Sequence, residues 1–523
     1  MKHHLFVAKR VHTFSETATE PPNGLLVAGG RVVAVGDAGQ LRRSHRDAEL
    51  HDFGDAVITP GLTDAHIHIT EWAVARQHVQ LGDAGSIDEC LVAIARSPGS
   101  GAWKQGRGWN PHKWGGAYPD RQQLDSAISD RPAAFQSHDM HALWVNTAAL
   151  ERAGITASTP DPEGGRIVRD ERGEPTGMLL ETAAQLVVSR IPKVTIDDML
   201  AAVLDAQREL HSFGITGIHS FPGFHLPEPD PLPVLQQLHE RGQLGLRVLQ
   251  HVALDKLDEA IKLGLRSGFG GEWIRIGGVK MFLDGALGSR TALMREPYEN
   301  SIDCGVDVLP EPEFKDFAGR AANAGIATVV HAIGDAAVAR AFDVLAHTPR
   351  VSAIPHRIEH VQCFPLDRAQ LLSSGIVCSV QPCHLMTDWP AADRHWGQRS
   401  AATYAFRTLL NGGAVLACGS DAPVEAVDPR LGLYAAVARR DTSHKPENGW
   451  HAEQSISIGE VFAGYTRGAA VAAGAARSQG TLAPDAFADF AVWKQDPLLC
   501  AGAELLELEI AATVVGGEVV WQD

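Results

Sequence analysis

Six residues of this 523-residue chain have the types and placement of a metal centre. "GLTDAHIHIT", residues 61–70, carries His66 and His68 two apart in a strand-like segment, and side chains two apart in a strand project from the same face. Two imidazoles held together can grip a cation. The pair alone is weak, because the chain has 24 histidines and some will fall together by chance. His331 in "VVHAIGD", His360 in "RIEHVQ" and Asp421 in "GSDAP" strengthen it, each lying where an apolar run turns polar. Imidazole and carboxylate ligands suit zinc and other borderline divalent metals. Lys280 completes the set, in the apolar run of "IRIGGVKMFLDGALGSRTA". A lysine there either snorkels to the surface or is buried with a lowered pKa. A neutral amine can add carbon dioxide and become a carbamate, an anion able to bridge two metals, whereas an ammonium has no lone pair to offer.

The elements that must position these residues alternate regularly. "TIDDMLAAVLDAQRELHSFG" opens with Thr195 and Asp198 in a capping box, shows an apolar face at Met199, Val203, Leu204 and Leu210, and reaches Gly214 as a stop. "ITGIHS" follows as a strand. "EFKDFAGRAANAG" leads into "IATVVHA", "LDRAQLLSSG" into "IVCSVQP", and "YAFRTLLNGG" into "AVLACGSD". Helix and strand alternating over short loops imply parallel strands with crossover helices. The titratable residues gather at the C-terminal ends of those strands, as in a (β/α)₈ TIM barrel of the α/β class. An open doubly wound sheet is disfavoured by the lack of a GxGxxG turn.

Both ends of the chain read differently. "NGLLVAGGRVVAVGD" is a hairpin around Gly-Gly, and "FADFAVWKQDP" and "IAATVVGGEVVWQD" are short strands. Residues 1–58 and 480–523 are therefore expected to form one small β-sandwich domain, and 59–479 the barrel. A stretch at about 95–190, rich in Trp, Pro, Gly and Asp, reads as an insertion lining the substrate pocket. A net charge of −17 argues against nucleic acid and anionic membrane partners and leaves a small-molecule substrate. No apolar run is long enough for a membrane span, and "MKHHLFVAKRVHTFSE" has no h-region, so no secretory leader is expected. Seven scattered cysteines without a CxxC pair suggest no disulfide framework and fit a cytoplasmic protein, with Cys378 and Cys383 as small buried residues.

The stretches "ITPGLTDAHIHI", "VKMFLDGALGSRTA", "VVHAIGDAAV", "RIEHVQ", "SVQPCH", "GSDAPVE", "DPRLGLYAAVAR" and "GTLAPDAFADFAVW" resemble, in order and over nearly the full chain, the amidohydrolase superfamily in its YtcJ-like branch, to which N-substituted formamide deformylase belongs. The resemblance implies a (β/α)₈ barrel with a β-sandwich made from both termini. It implies His66, His68 and Asp421 on one Zn²⁺, His331 and His360 on another, and carboxylated Lys280 between them. A metal-bridging hydroxide would be the nucleophile, with Asp421 as general acid and base. "GWNPHKW" and "SHDMHALWVNTAAL" are similar to substrate-side motifs of the branch, which would place Trp109, His141 and Asn146 at the pocket, His141 polarising the carbonyl oxygen. Trp109 and Trp144 can equally pack the insertion. Asp284 and Arg290 are substrate contacts or an ion pair that shapes their loop. Asp64 is a partner for the histidines or a turn residue, and His219 and His384 are substrate contacts or structural histidines. A homodimer is implied by the resemblance alone. The chain departs from the branch at Ala336, where arginine is usual, and at Met140, where glycine is usual; the latter bears on pocket size.

The expected activity is therefore metal-dependent hydrolysis of a non-peptide C–N bond, in an amide, N-acyl amine or N-formyl amine. A hydrolytic deaminase or a cyclic-amide hydrolase would use the same site on a different electrophile. A non-catalytic barrel scaffold is the contrasting class, and the presence of all six ligand positions weighs against it.

Overall fold

In the computed structural model, residues 2–15, 21–97, 102–114, 116–137, 142–223 and 230–523 are described. Eight parallel strands form the barrel: β1 (Leu62–Ile67), β2 (Ile215–Ser220), β3 (Arg247–Ala253), β4 (Ile274–Phe282), β5 (Thr328–Ala332), β6 (Arg357–His360), β7 (Val377–Val380) and β8 (Val415–Cys418). Spatial order follows chain order. The ring closes through a parallel bridge between Ile67 and Ala422, with Asp421 N donating to His66 O at 2.7 Å and His68 N to Ala422 O at 2.9 Å. The strands are buried on both faces, as parallel strands under helices must be, which is why they read as continuous apolar runs rather than as alternations.

The helices start and stop where local chemistry dictates. Thr195 Oγ1 accepts from Asp198 N at 3.1 Å, and Asp198 Oδ2 accepts from Thr195 N at 3.3 Å, opening the helix Ile196–Ser212. Gly214 follows at φ +76°, a conformation open to glycine without a Cβ penalty. One expectation changes. "LDRAQLLSSG" forms a 3₁₀ helix, Leu366–Leu371, starting immediately after Pro365. Short connectors are where 3₁₀ geometry is tolerated.

The terminal segments build two small sheets. One orders Arg31–Gly36, Gly24–Ala28, His3–Val7 and Glu49–Asp52; the other orders Arg10–Val11, Val57–Pro60, Phe490–Trp493, Ile510–Val515 and Glu518–Gln522. The Gly29-Gly30 turn has φ of 58° and 76°, both left-handed as a two-residue type I′ hairpin requires. Phe6, Val27, Ile58, Phe490, Val492 and Val514 pack in one core, with Phe6 edge-on to Phe490 at 4.9 Å. The N-terminal strand Val57–Pro60 pairs antiparallel with the C-terminal strand Phe490–Trp493, so the ends of the chain are joined by main-chain hydrogen bonds.

A second compact unit runs over Thr70–Ala202, wider than the stretch of about 95–190 expected from composition. Its start is earlier because strand Val79–Gln80 pairs with Lys104–Trp109. It holds its own six-stranded sheet, on which Trp109, Phe135, Trp144 and Met178 share a core.

Candidate metal centre

His66, on β1, and His68, one residue past its end, are both buried. His66 Nδ1 donates to Glu359 Oε2 at 2.7 Å. Because a carboxylate only accepts, the proton sits on Nδ1 and the lone pair on Nε2. That Nε2 is buried, has no hydrogen-bond partner and lies 3.3 Å from Asp421 Oδ1. His68 Nδ1 is placed 3.0 Å from the Pro222 carbonyl, and its Nε2 lies 3.5 Å from the same Asp421 oxygen. Donor atoms of His66, His68 and Asp421 all fall within 4.8 Å of one another. Phe221 stacks on the His66 ring at 3.9 Å and fixes its plane.

Asp421 reaches the centre through backbone strain. It follows β8 with φ +62°, in the left-handed region that few non-glycine residues adopt. His360, at the end of β6, has φ +74°, and Val361 +46°. Adjacent strand residues face opposite sides, so Glu359 and His360 can serve the same interior only if the chain twists out of the β region at His360. Each such residue costs on the order of 1–2 kcal/mol, a cost the surrounding structure must over-determine. Asp64 supplies part of that support. It accepts from His66 N and Ser420 N, both at 3.0 Å, and from Ser420 Oγ at 2.6 Å, tying β1 to the segment that carries Asp421. Its carboxylate thus holds main chain rather than a histidine ring.

His331 and His360 lie beside this group, with ring centroids 4.5 Å apart and His360 5.1 Å from His66. His331 Nε2 donates to the Gly285 carbonyl at 2.9 Å, which leaves the lone pair on Nδ1. His360 Nδ1 is buried without a partner. Lys280, on β4, is buried with Nζ 4.7 Å from the centroids of both Phe221 and Phe282. Burial lowers its pKa to about 8, against the opposing pull of Glu359 and Asp421. Burial also lowers His66 to about 4 and His331 to about 3. For Asp421 burial works upward, but the neighbouring imidazoles of His66, His68, His360 and His384 overbalance it and hold the carboxyl well below its usual range. Burial likewise keeps His360 well below its usual range, so His66, His331 and His360 are neutral imidazoles near neutral pH beside a carboxylate, the protonation state a metal needs. Orphaned lone pairs at His66 Nε2, a partnerless His360 Nδ1 and this donor set fit a divalent metal.

A support for the histidines escaped the sequence reading. Glu359 receives two bonds from Arg357, from Nε to Oε1 and from Nη2 to Oε2 (the latter 3.1 Å), and both side chains are fully buried. Arg357 also donates to Ala65 O at 2.6 Å, Ser379 Oγ at 2.9 Å and His219 Nδ1 at 2.8 Å. Metal-binding histidines characteristically have such a carboxylate behind them. The signal was present in "RIEH": two charged residues at strand spacing inside a parallel strand must face each other's charge or a functional interior.

The other expected site residues divide. His384 lies at the centre, its Nε2 3.3 Å from the Ser420 carbonyl and 3.8 Å from Asp421 Oδ2. His219 serves Arg357. Asp284 is buried and accepts from the amides of Leu293, Ile333 and Gly334 at 2.8–3.3 Å, and burial raises its pKa to about 7. Arg290 is exposed at φ +57°. Asp284 therefore shapes the loop through amides, not through an ion pair with Arg290. In the second unit, Trp109 is fully buried and its indole donates to Phe135 O at 2.8 Å, so it packs rather than lines a pocket. Trp144 likewise donates to Asp120 O at 2.8 Å. Asn146 caps helix Thr147–Ala153 and is used on all sides: Oδ1 accepts from Ala133 N and Ala149 N, and Nδ2 donates to Ile128 O and Arg131 O. No polar group of Asn146 is left to meet a substrate, because the cap and the adjoining loop consume them. Met140 and His141 lie outside the described residues. Ala336 sits in the first turn of helix Asp335–His347.

An eight-stranded parallel barrel with imidazoles and a carboxylate converging at the C-terminal strand ends places a candidate metal centre where barrel enzymes carry their active sites, and the relatives below make it that of a metal-dependent hydrolase. The chain belongs to the amidohydrolase family, whose model matches residues 49–521. It is 31% identical over 514 residues to YtcJ of Bacillus subtilis (strain 168), covering 95% of each chain. It is 26% identical over 515 residues to N-substituted formamide deformylase of Arthrobacter pascens, covering 94% of each. Among solved structures, an uncharacterized metal-dependent hydrolase of Pyrococcus horikoshii OT3 superposes with a TM-score of 0.79 at 27% identity, over 95% of this chain and 99% of that one. Among the described residues, no helix is long and apolar enough to cross a membrane.

Proposed function

We propose that the protein hydrolyses a non-peptide C–N bond of a small molecule: an amide, an N-acyl amine or an N-formyl amine. The observation that carries the reading is the unpartnered His66 Nε2 facing Asp421 Oδ1 at 3.3 Å, with His68 Nε2 on the same oxygen at 3.5 Å. Likeness over 94% of the chain to a deformylase of N-substituted formamides supports the choice of bond. In this reading His66, His68 and Asp421 would hold one zinc ion, His331 and His360 would hold a second, and Lys280, as its carbamate, would supply an anionic ligand to the same centre. An amine with a pKa of about 8 is partly neutral near neutral pH and can add carbon dioxide with loss of one proton. When bound, a divalent metal acidifies a water molecule and polarises the scissile carbonyl.

The remaining work falls to the chain's own groups. Asp421 Oδ1 faces the two imidazoles, while Oδ2 faces His384 Nε2 at 3.8 Å. Oδ2 takes the proton of the attacking water and hands it to the departing nitrogen. Glu359 keeps His66 in one tautomer and one orientation throughout. The test couples two readouts. Metal content of protein grown with zinc and kept in bicarbonate is compared between wild type and Lys280→Ala, and release of primary amine is followed on a panel of N-formyl and N-acyl amines. Two metals per chain, a sharp fall in the variant and metal-dependent amine release are expected. Equal metal content would remove Lys280 from the centre; no amine release from the fully loaded protein would overturn the choice of bond.

A further inference from the structure

We propose a second, separate site for a zinc-class divalent cation, built by His4, His51 and Glu49 on the edge of the β-sandwich. These are two imidazoles and a carboxylate whose donor atoms all lie within 4.8 Å of one another. The strand pairing brings them together. His3–Val7 and Glu49–Asp52 run parallel in a register that sets His4 beside Glu49 and Phe6 beside His51. Residues two apart share a face, so His4, Phe6, Glu49 and His51 stand on one side of two adjacent strands.

The geometry is near that of a coordination shell. His4 Nδ1 and His51 Nε2 are 3.1 Å apart, and His4 Nδ1 and Glu49 Oε2 are 3.7 Å apart. Donors around a tetrahedral zinc with bonds of about 2.0–2.1 Å sit roughly 3.4 Å from one another, so the observed separations bracket the required one. The rings are also held in place beforehand. His51 stacks on Phe6 at 4.6 Å and 16°, and His4 lies nearly parallel to His51 at 5.3 Å and 26°. Without a cation, an N–H of one ring donates to the lone pair of the other; for a divalent ion to bind, that ring shifts its proton to its far nitrogen, so that both facing nitrogens and the carboxylate would be ligands, with water in the fourth position. Two imidazoles with one carboxylate favour zinc, copper or nickel over magnesium or calcium. The competitor is also visible. Lys2 Nζ sits 2.5 Å from Glu49 Oε2, and both side chains are largely exposed, so the ammonium can leave. A bound cation would clasp the first strand of the chain to the strand Glu49–Asp52.

The site is tested on the full-length protein, stripped of metal and dialysed against graded Zn²⁺, with bound zinc counted by elemental analysis. Wild type should bind one equivalent more than His51→Ala, while the barrel-centre equivalents stay unchanged. Glu49→Gln, which keeps the shape and removes the charge, should weaken that equivalent by tenfold or more. Lys2→Ala should tighten it severalfold, because the competing ammonium is gone. Equal stoichiometry in wild type and His51→Ala, with circular dichroism showing both folded, would overturn the proposal. Should His51→Ala misfold, equal zinc affinity in wild type, Glu49→Gln and Lys2→Ala would overturn it equally.

Discussion

Replacing Glu359 with alanine is expected to destabilise the metal-free protein by about 3–5 kcal/mol, the cost of stranding a buried charge by removing its partner. The figure follows from the surroundings of Arg357. Its guanidinium has no exposed surface, and the other groups that accept from it, Ala65 O, Ser379 Oγ and His219 Nδ1, are all neutral. Loss of the carboxylate therefore leaves a full positive charge inside the barrel and removes the acceptor of the His66 Nδ1 proton. A net stability of about 5–15 kcal/mol is typical of a folded domain, so the loss is large on that scale. The assay is urea denaturation of the chelator-treated protein, followed by tryptophan fluorescence and circular dichroism. The double variant Arg357→Met/Glu359→Leu removes both charges and should recover at least half of the loss, because an apolar pair of similar volume often replaces a buried ion pair at little cost. A loss below about 1 kcal/mol in Glu359→Ala, or a double variant no better than the single, would refute the claim that the pair is a mutually dependent charge couple. Glu359→Gln gives an independent reading: zinc affinity by chelator competition should fall roughly 10–100-fold, as when a histidine ligand loses its supporting carboxylate.

Further consequences can be measured separately. Asn146→Ala deletes a buried cap with four bonds and should cost about 2–4 kcal/mol, read as a lower urea midpoint, while specific activity of the folded fraction stays within twofold. His211 is buried on the carbonyl of Gly245, and burial lowers its pKa to about 4. The unfolded chain thus binds the extra proton first: its stabilising contribution is full above about pH 6.5 and declines by about 3 kcal/mol as pH falls to about 4, so His211→Gln should flatten the dependence of the urea midpoint across that window. Gly474 has φ +61°, and a Cβ there would lie 1.8 Å from Ala353 O, so Gly474→Ala should lower the melting temperature, by a loss of roughly 2–4 kcal/mol.

The barrel was legible in the sequence because parallel strands under helices leave two strong marks, continuous apolar runs and capped amphipathic helices. Thr195, Asp198 and Gly214 act in the structure as their types and spacing require. The ligand-bearing strand ends were legible for a related reason: polar residues ending an apolar run have to face something. What stayed hidden depended on conformation rather than composition. Nothing in "GSDAP" or "RIEHVQ" announces that Asp421 and His360 adopt left-handed backbones, yet without that twist Glu359 and His360 would point to opposite sides. Trp109 and Asn146 misled for the opposite reason. Their types suit a pocket, but an indole N–H or a side-chain amide is satisfied as readily by a neighbouring carbonyl as by a substrate, and only the fold decides which is nearer.

The metal centre and the closure of the barrel are one piece of structure, and this links stability to function. The hydrogen bonds that seal the ring run from Asp421 N to His66 O and from His68 N to Ala422 O, so three candidate ligands sit on the seam itself. Asp64 and Ser420 brace the same seam from below through bonds of 2.6–3.0 Å. A barrel that opened at this point would separate β1 from β8 and pull His66 and His68 away from Asp421. Conversely, a cation held by these three residues would cross-link the first and last strands, whose sequence positions are more than three hundred residues apart. Metal binding at this seam should therefore stabilise the barrel preferentially over the sandwich, whose apolar core of Phe6, Ile58, Phe490 and Val514 contains none of these three ligands. In hydrogen exchange on His51→Ala, which removes the second cation site proposed on the sandwich, added zinc should slow the amides of His66, His68 and Asp421 far more than those of the Phe490–Trp493 strand. Uniform slowing across both would mean that the seam is not where the metal acts.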